Sequence, residues 1–233
     1  QRARRCAWLA FEPNEDWRQT MHNPSKVTSP MAQPRRPRLA LPAGSCDSHV
    51  HVYGPASRFP FDPHRPYTPE DAPVEQLDAL HRWLGLERAV YVQATVHGFD
   101  NAAILDAIAR NPSQARGIAL VHTDIGGAAL QSLHAAGVRG VRFNFIKHLG
   151  DAPDPQAVLR LAERIGAMGW HVQLHFGAQD LLDQLPLLHR LQCPFAIDHM
   201  GRTPVAGGLA QEACIALLDV LADPRAWIKL SGP

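Results

Sequence analysis

The stretch VRGVRFNFIKHLGDAPDPQAVLRLAERIGAMGWHVQLHF, Val138–Phe176, decides the fold. It opens on an apolar, β-branched run, Val138–Phe145, the composition of a buried strand. A helical pattern follows over Pro155–Met168, with Pro at its first position and Gly169 just past its end, the usual asymmetry of helix termini. A second apolar run, Trp170–Phe176, closes the unit. Strand, helix and strand in this order make a βαβ unit, whose strands are parallel.

The same unit repeats outward in both directions. Upstream strands are expected at Cys46–Val52, Arg88–Gln93 and Gly117–Val121, and downstream strands at Pro194–Asp198 and Trp227–Leu230. Helical spacing between them covers Val74–Leu84, Asp100–Arg110, Gly127–Ala136, Gln179–Leu191 and Gln211–Leu221. Seven strands alternating with helices leave two architectures, a doubly wound open sheet and a (β/α)8 barrel. No G-x-G-x-x-G follows the first strand, which weakens the nucleotide-binding alternative. The reading is a (β/α)8 TIM barrel with about seven of its strands in this chain.

Composition narrows the function. The 233 residues carry a net charge of +1 and 19% charged residues, without the basic stripe of a nucleic-acid binder. Cys6, Cys46, Cys193 and Cys214 form no C-x-x-C pair, which argues against a zinc finger and for a reducing, cytoplasmic setting. No apolar run approaches the ~20 residues that span a bilayer. Residues 1–44 are rich in Pro and Arg and without periodicity; they read as a disordered leader, with the folded domain over 45–233. Pro55–Pro73 is a long Pro-rich loop, a candidate lid.

The chemistry collects at strand ends. Ser45–Tyr53, SCDSHVHVY, places His49 and His51 two apart on the first strand, where their side chains share a face. With 13 His in the chain, chance alone supplies roughly 0.7 such pairs, so the motif by itself says little. Its company says more. Gln93, His122, Arg142, Asn144, His175 and Asp198-His199 also fall at the C-terminal ends of strands, where barrel active sites lie. His171 is read as structural, deeper on the fifth strand. Asp47 is read as facing away from the histidine pair. Arg142 and Arg202 suit an anionic substrate, Arg142 through a bidentate fork, and Tyr67 is placed to hydrogen-bond the same molecule.

Several motifs in order carry a resemblance: D-S-H-V-H (Asp47–His51), Y-T-P (Tyr67–Pro69), G-V-R-G-V-R-F-N-F (Gly137–Phe145), His175, D-H-M-G-R (Asp198–Arg202) and K-L-S-G-P (Lys229–Pro233). Together they resemble the amidohydrolase-related family, in the branch of the 2-pyrone-4,6-dicarboxylate lactonases and 4-sulfomuconolactone hydrolases. The resemblance implies a distorted barrel that hydrolyses a small anionic lactone with an activated water. It implies catalytic roles for His49, His51 and His175, and substrate contacts for Tyr67, Arg142, Asn144 and Arg202. It also implies one divalent metal, zinc, on His49, His51, His175 and His199, or no metal. No carboxylated Lys stands at the end of strand four, and Lys147 lies beyond the strand, so two metals are not expected. The general-base Asp belongs to an eighth strand that this sequence does not contain, and Asp198, on strand six, does not replace it. Zinc-dependent decarboxylation of an aromatic acid and a non-catalytic truncated barrel are the alternatives, and a homo-oligomer is left open.

Overall fold

Seven strands lie in chain order in one parallel sheet: β1 (Cys46–Val50), β2 (Arg88–Val92), β3 (Ala115–Ala119), β4 (Val138–Asn144), β5 (His171–His175), β6 (Phe195–Ile197) and β7 (Ala226–Ile228). This computed structural model describes residues 35, 37–146, 149 and 152–231, apart from the side chain of Gln179. Most of the expected leader, residues 1–34 and Arg36, lies outside the described residues, as does Lys147. A doubly wound sheet reverses its strand order at a switch point. Here every crossover steps to the next position in the same direction, as in a barrel. The sheet curls far enough for Lys229, just past β7, to reach the Ser48 carbonyl of β1 at 3.4 Å.

Six helices connect the strands: α1 (Val74–Leu84), α2 (Ala102–Arg110), α3 (Gly127–Ala135), α4 (Pro155–Gly166), α5 (Ala178–Leu188) and α6 (Glu212–Val220). Helix α4 shows why the sequence folds this way. The Asp154 carboxylate accepts from the backbone N–H groups of Gln156 and Ala157, and Pro155 fills the first position. Val158, Leu161, Ala162 and Ile165 recur at helical spacing and are buried. They pack on the outer face of the sheet with Trp170, Val172, Leu174 and Phe195. Helix α1 ends where Gly85 turns left-handed at φ 78° and its N–H closes on the Arg82 and His81 carbonyls.

Alternation along β4 and β5 divides two environments. Val141, Phe143, Val172 and Leu174 face the helices. Arg142 and Asn144 face the barrel axis and pair in register with Gln173 and His175. Gly140 lies level with His171, and a Cβ there would stand 2.8 Å from the His171 carbonyl, so only glycine fits.

Strand and helix bounds move by up to three residues from the sequence reading, the largest shift being the end of α5 at Leu188 rather than Leu191. β3 begins at Ala115 rather than Gly117 because Ala115 and Ile118 pair with Ala89 and Val92. The ladder of β1 slips between Asp47 and Val50. Strict alternation would place Asp47 beside His49; after the slip its carboxylate instead meets His81 of α1 at 3.0 Å. The expected lid is pinned. The His97 ring donates from Nδ1 to the Pro60 carbonyl at 3.1 Å and accepts the Gly54 N–H at Nε2, and Asp62 N–H bonds the Val96 carbonyl. Among the described residues no helix is long and apolar enough to cross a membrane.

Candidate active site

Four imidazoles meet at the C-terminal mouth of the sheet. His49 comes from β1, His51 from just past it, His175 from the end of β5, and His199 from the turn after β6. Ring centroids lie 5.0 Å apart for His49 and His51, 4.8 Å for His49 and His199, and 5.7 Å for His175 and His199. His51 keeps its place although β1 ends at Val50, because its Nδ1 bonds the Val92 carbonyl at 2.8 Å.

Hydrogen bonds fix where two of the ring protons sit. A backbone carbonyl only accepts, so His51 carries its proton on Nδ1 and leaves a lone pair on Nε2. His175 is held in the same form: its Nδ1 donates to Asn144 Oδ1 at 3.0 Å, and Asn144 Nδ2 donates to Thr95 Oγ1 at 3.3 Å. Burial, reinforced by neighbouring positive charge, pulls both imidazoles down to about 3. Both stay neutral at physiological pH. The Nε2 atoms of His175 and His49 are buried and have no hydrogen-bond partner among the described residues.

Beneath the imidazoles lies a buried charge network. Asp198 is 0% exposed. Its Oδ2 accepts from Arg142 Nε at 2.9 Å and from Gln173 Nε2 at 3.0 Å. Its Oδ1 faces His49 Nδ1 at 3.4 Å and Lys229 Nζ at 3.6 Å. Burial alone would raise the carboxyl; its close neighbours His49, Arg142 and Lys229 hold it far below the usual carboxylate range. Lys229 Nζ donates to Gln173 Oε1 at 2.8 Å and stands 3.0 Å from His49 Nδ1. Burial pulls the ammonium down to about 8, even with Asp198 opposing it.

The turn after β6 is strained. His199, Met200, Gly201 and Arg202 all take left-handed backbone angles, φ 50°, 53°, 61° and 48°. Each non-glycine there costs about 1–2 kcal/mol. The strand end of β7 holds the turn, since Met200 N–H bonds the Lys229 carbonyl and His199 Nδ1 lies 3.1 Å from Ser231 Oγ. Such strain persists where surrounding structure over-determines it, most often at functional sites.

The sequence-derived residues distribute as follows. His49, His51, His175, His199 and Asn144 gather at the mouth. Arg142 is 4% exposed and commits Nε to Asp198, so the expected fork onto substrate is not free through that nitrogen. Arg202 is exposed at the rim, near enough to His175 to lower its basicity. Tyr67 is 40% exposed and shares a hydrogen bond with Tyr53. The sequence reading gave no site role to Gln173, to Lys229, which it quoted only within a motif, or to Asp198, which it placed among the strand-end residues. Gln173 was detectable, since it shares strand parity with His175.

A metal fits this set poorly. Among the described residues, one group brings three ligand atoms within 4.8 Å of one another, and it could hold a metal ion: His49, Asp198 and His199. It substitutes Asp198 for the expected His51 and His175. Yet Asp198 Oδ2 already accepts from Arg142 and Gln173, Lys229 lies 3.6 Å from Oδ1, and the same ammonium stands against the Nδ1 of His49. A neutral imidazole that accepts at Nδ1 carries its proton on Nε2 and has no lone pair left for a metal. With Lys229 charged, this group of His49, Asp198 and His199 does not fit a divalent cation.

Consecutive parallel strands with histidines converging at their C-terminal ends define a barrel hydrolase of the amidohydrolase kind. The amidohydrolase family profile matches residues 46–233, and the chain belongs to that family. A 2-pyrone-4,6-dicarboxylate hydrolase of Comamonas testosteroni is 43% identical over 96% of this chain and 70% of its own length. A 4-sulfomuconolactone hydrolase of Rhizobium radiobacter is 37% identical over 83% of this chain and 65% of its own. A solved structure assigned as a 2-pyrone-4,6-dicarboxylic acid hydrolase of Pseudomonas putida superposes with TM-score 0.73 at 34% identity, over 82% of this chain and 70% of its own. The chain thus spans about two thirds of the length of these relatives.

Proposed function

We propose that this site hydrolyses the ester bond of a small anionic lactone. The observation that carries the reading is the pair of buried, unpartnered Nε2 atoms of His49 and His175 at the mouth, beside His51. Buried polar atoms are usually paired, so these, with Asp198 Oδ1 beside them, are groups left for a ligand. The names of the relatives, lactone hydrolases of anionic rings, give the substrate class.

The chain's own residues divide the work. The Nε2 lone pairs of His51 and His175 accept hydrogen bonds from a water and align it on the carbonyl carbon. Neither histidine is basic enough to keep the proton. It passes to a stronger acceptor, which the family resemblance places at the end of an eighth strand. As the water oxygen bonds the carbonyl carbon, negative charge grows on the carbonyl oxygen. The ring C–O bond then breaks, and the leaving oxygen takes up a proton. Arg142 and Lys229 against Asp198 leave one net positive charge beneath the site, which favours the oxyanion and an anionic substrate. Arg202 and Tyr67 at the rim contact the substrate's acidic groups. No step needs a metal.

Product analysis in ¹⁸O-water tests the proposal on the full chain with 2-pyrone-4,6-dicarboxylate. Hydrolysis places one ¹⁸O in the new carboxylate of a ring-opened acid. Loss of CO₂ identifies a decarboxylase instead. An unchanged substrate supports the non-catalytic reading.

A further inference from the structure

We propose that Lys229 is a positioning residue that fixes the proton of His49 on Nε2, making His49 the hydrogen-bond donor to the lactone carbonyl. This inference rests on the lactone-hydrolysis reading. Of the three imidazoles nearest the axis, two have their Nδ1 opposite an acceptor, the Val92 carbonyl for His51 and Asn144 Oδ1 for His175. His49 differs. Its Nδ1 stands 3.0 Å from Lys229 Nζ, with Asp198 Oδ1 farther away at 3.4 Å. An ammonium has only donors. Facing it, His49 Nδ1 accepts, and the ring proton moves to Nε2, the atom that is buried and without a partner. The mouth then presents one donor, from His49, between two acceptors, from His51 and His175. That is the arrangement an attacking water and a developing oxyanion require.

Gln173 makes Lys229 hold this position. It is 0% exposed. Its carbonyl oxygen takes one ammonium proton at 2.8 Å while its amide donates to Asp198 at 3.0 Å. The two ends of one rigid amide therefore set the spacing between cation and carboxylate. Without Lys229, the next partner of His49 Nδ1 is Asp198 Oδ1, which accepts and draws the proton back to Nδ1. His49 would then offer the carbonyl a lone pair instead of a proton.

Long-range ¹⁵N–¹H correlation on the full chain labelled at histidine tests this, with His49 assigned from the spectrum of His49→Gln. The expected result is Nε2–H on His49 in the unaltered protein and Nδ1–H in Lys229→Met. That variant should also lose about 10²-fold in kcat, the usual cost of one oxyanion donor, with KM little changed. Nδ1–H on His49 in the unaltered protein overturns the proposal, and this result needs no variant to fold. An unmoved tautomer in a folded Lys229→Met overturns it too. A chain in which the tautomer moves as expected but no lactone opens contradicts the hydrolase reading alone.

Discussion

The two faces of β4 and β5 are built from adjacent residues and behave as different materials. Outward, Val141, Phe143, Val172 and Leu174 pack against the helices in a close-packed apolar layer. Inward, Arg142, Gln173 and His175 lie equally deep, yet they carry charge, hydrogen bonds and unpartnered atoms. Burial is the same on both faces; what differs is whether the buried groups are finished. The outer face is complete without a ligand, whereas the inner face leaves atoms for one.

Adjacent substitutions should separate the two faces. His175→Ala should lower turnover about 10³-fold, within the range for a group that handles the water's protons, and leave the melting transition near its original temperature. Unchanged turnover would remove His175 from the site. Leu174→Ala, one residue away on the opposite face, should cost about 2–5 kcal/mol of stability, read from denaturant midpoints. A folded Leu174→Ala should keep its histidine tautomers.

Acid should weaken the inner face before the outer one. His51 and His175 are pulled below the ordinary histidine value by burial. Between that ordinary value, about 6.5, and about 3, the unfolded chain binds protons that the folded chain refuses. Their contribution to stability is therefore complete above pH 6.5 and declines as pH falls toward 3. Asp198 acts in the same direction but lower down. Its folded carboxyl is held low, so its contribution is present above the unfolded value near 4 and is lost only on further acidification. Urea midpoints at pH 7.5, 6 and 5 should fall, and His175→Ala should flatten the decline. The smallest effect belongs to a helix end remote from either face: Asp154→Ala should cost about 1 kcal/mol through the lost cap of α4 and leave turnover unchanged.

The outer face was the more legible in sequence. Its apolar runs and the helical spacing of Val158, Leu161 and Ile165 are local patterns, and they placed all seven strands and six helices to within a few residues. The inner face was legible where a motif lies on one strand, as in His49 with His51, or Arg142 with Asn144. It was illegible where partners are distant in the chain. Asp198 joins Arg142 of β4, Gln173 of β5, Lys229 just past β7 and His49 of β1. No spacing rule encodes such a meeting; it requires the register of the ladders and the curl of the sheet. The slip in β1 and the left-handed turn at His199–Arg202 were hidden for the same reason. Tertiary hydrogen bonds, not local propensity, hold them.

The central proposal is that this mouth performs lactone chemistry with protein groups alone. The most direct measurement is ring opening of 2-pyrone-4,6-dicarboxylate by the full chain, followed by loss of ring absorbance, before and after exhaustive treatment with a chelator. The same turnover is expected in both samples, with no gain on adding zinc. Turnover that disappears with the chelator and returns with zinc would contradict it.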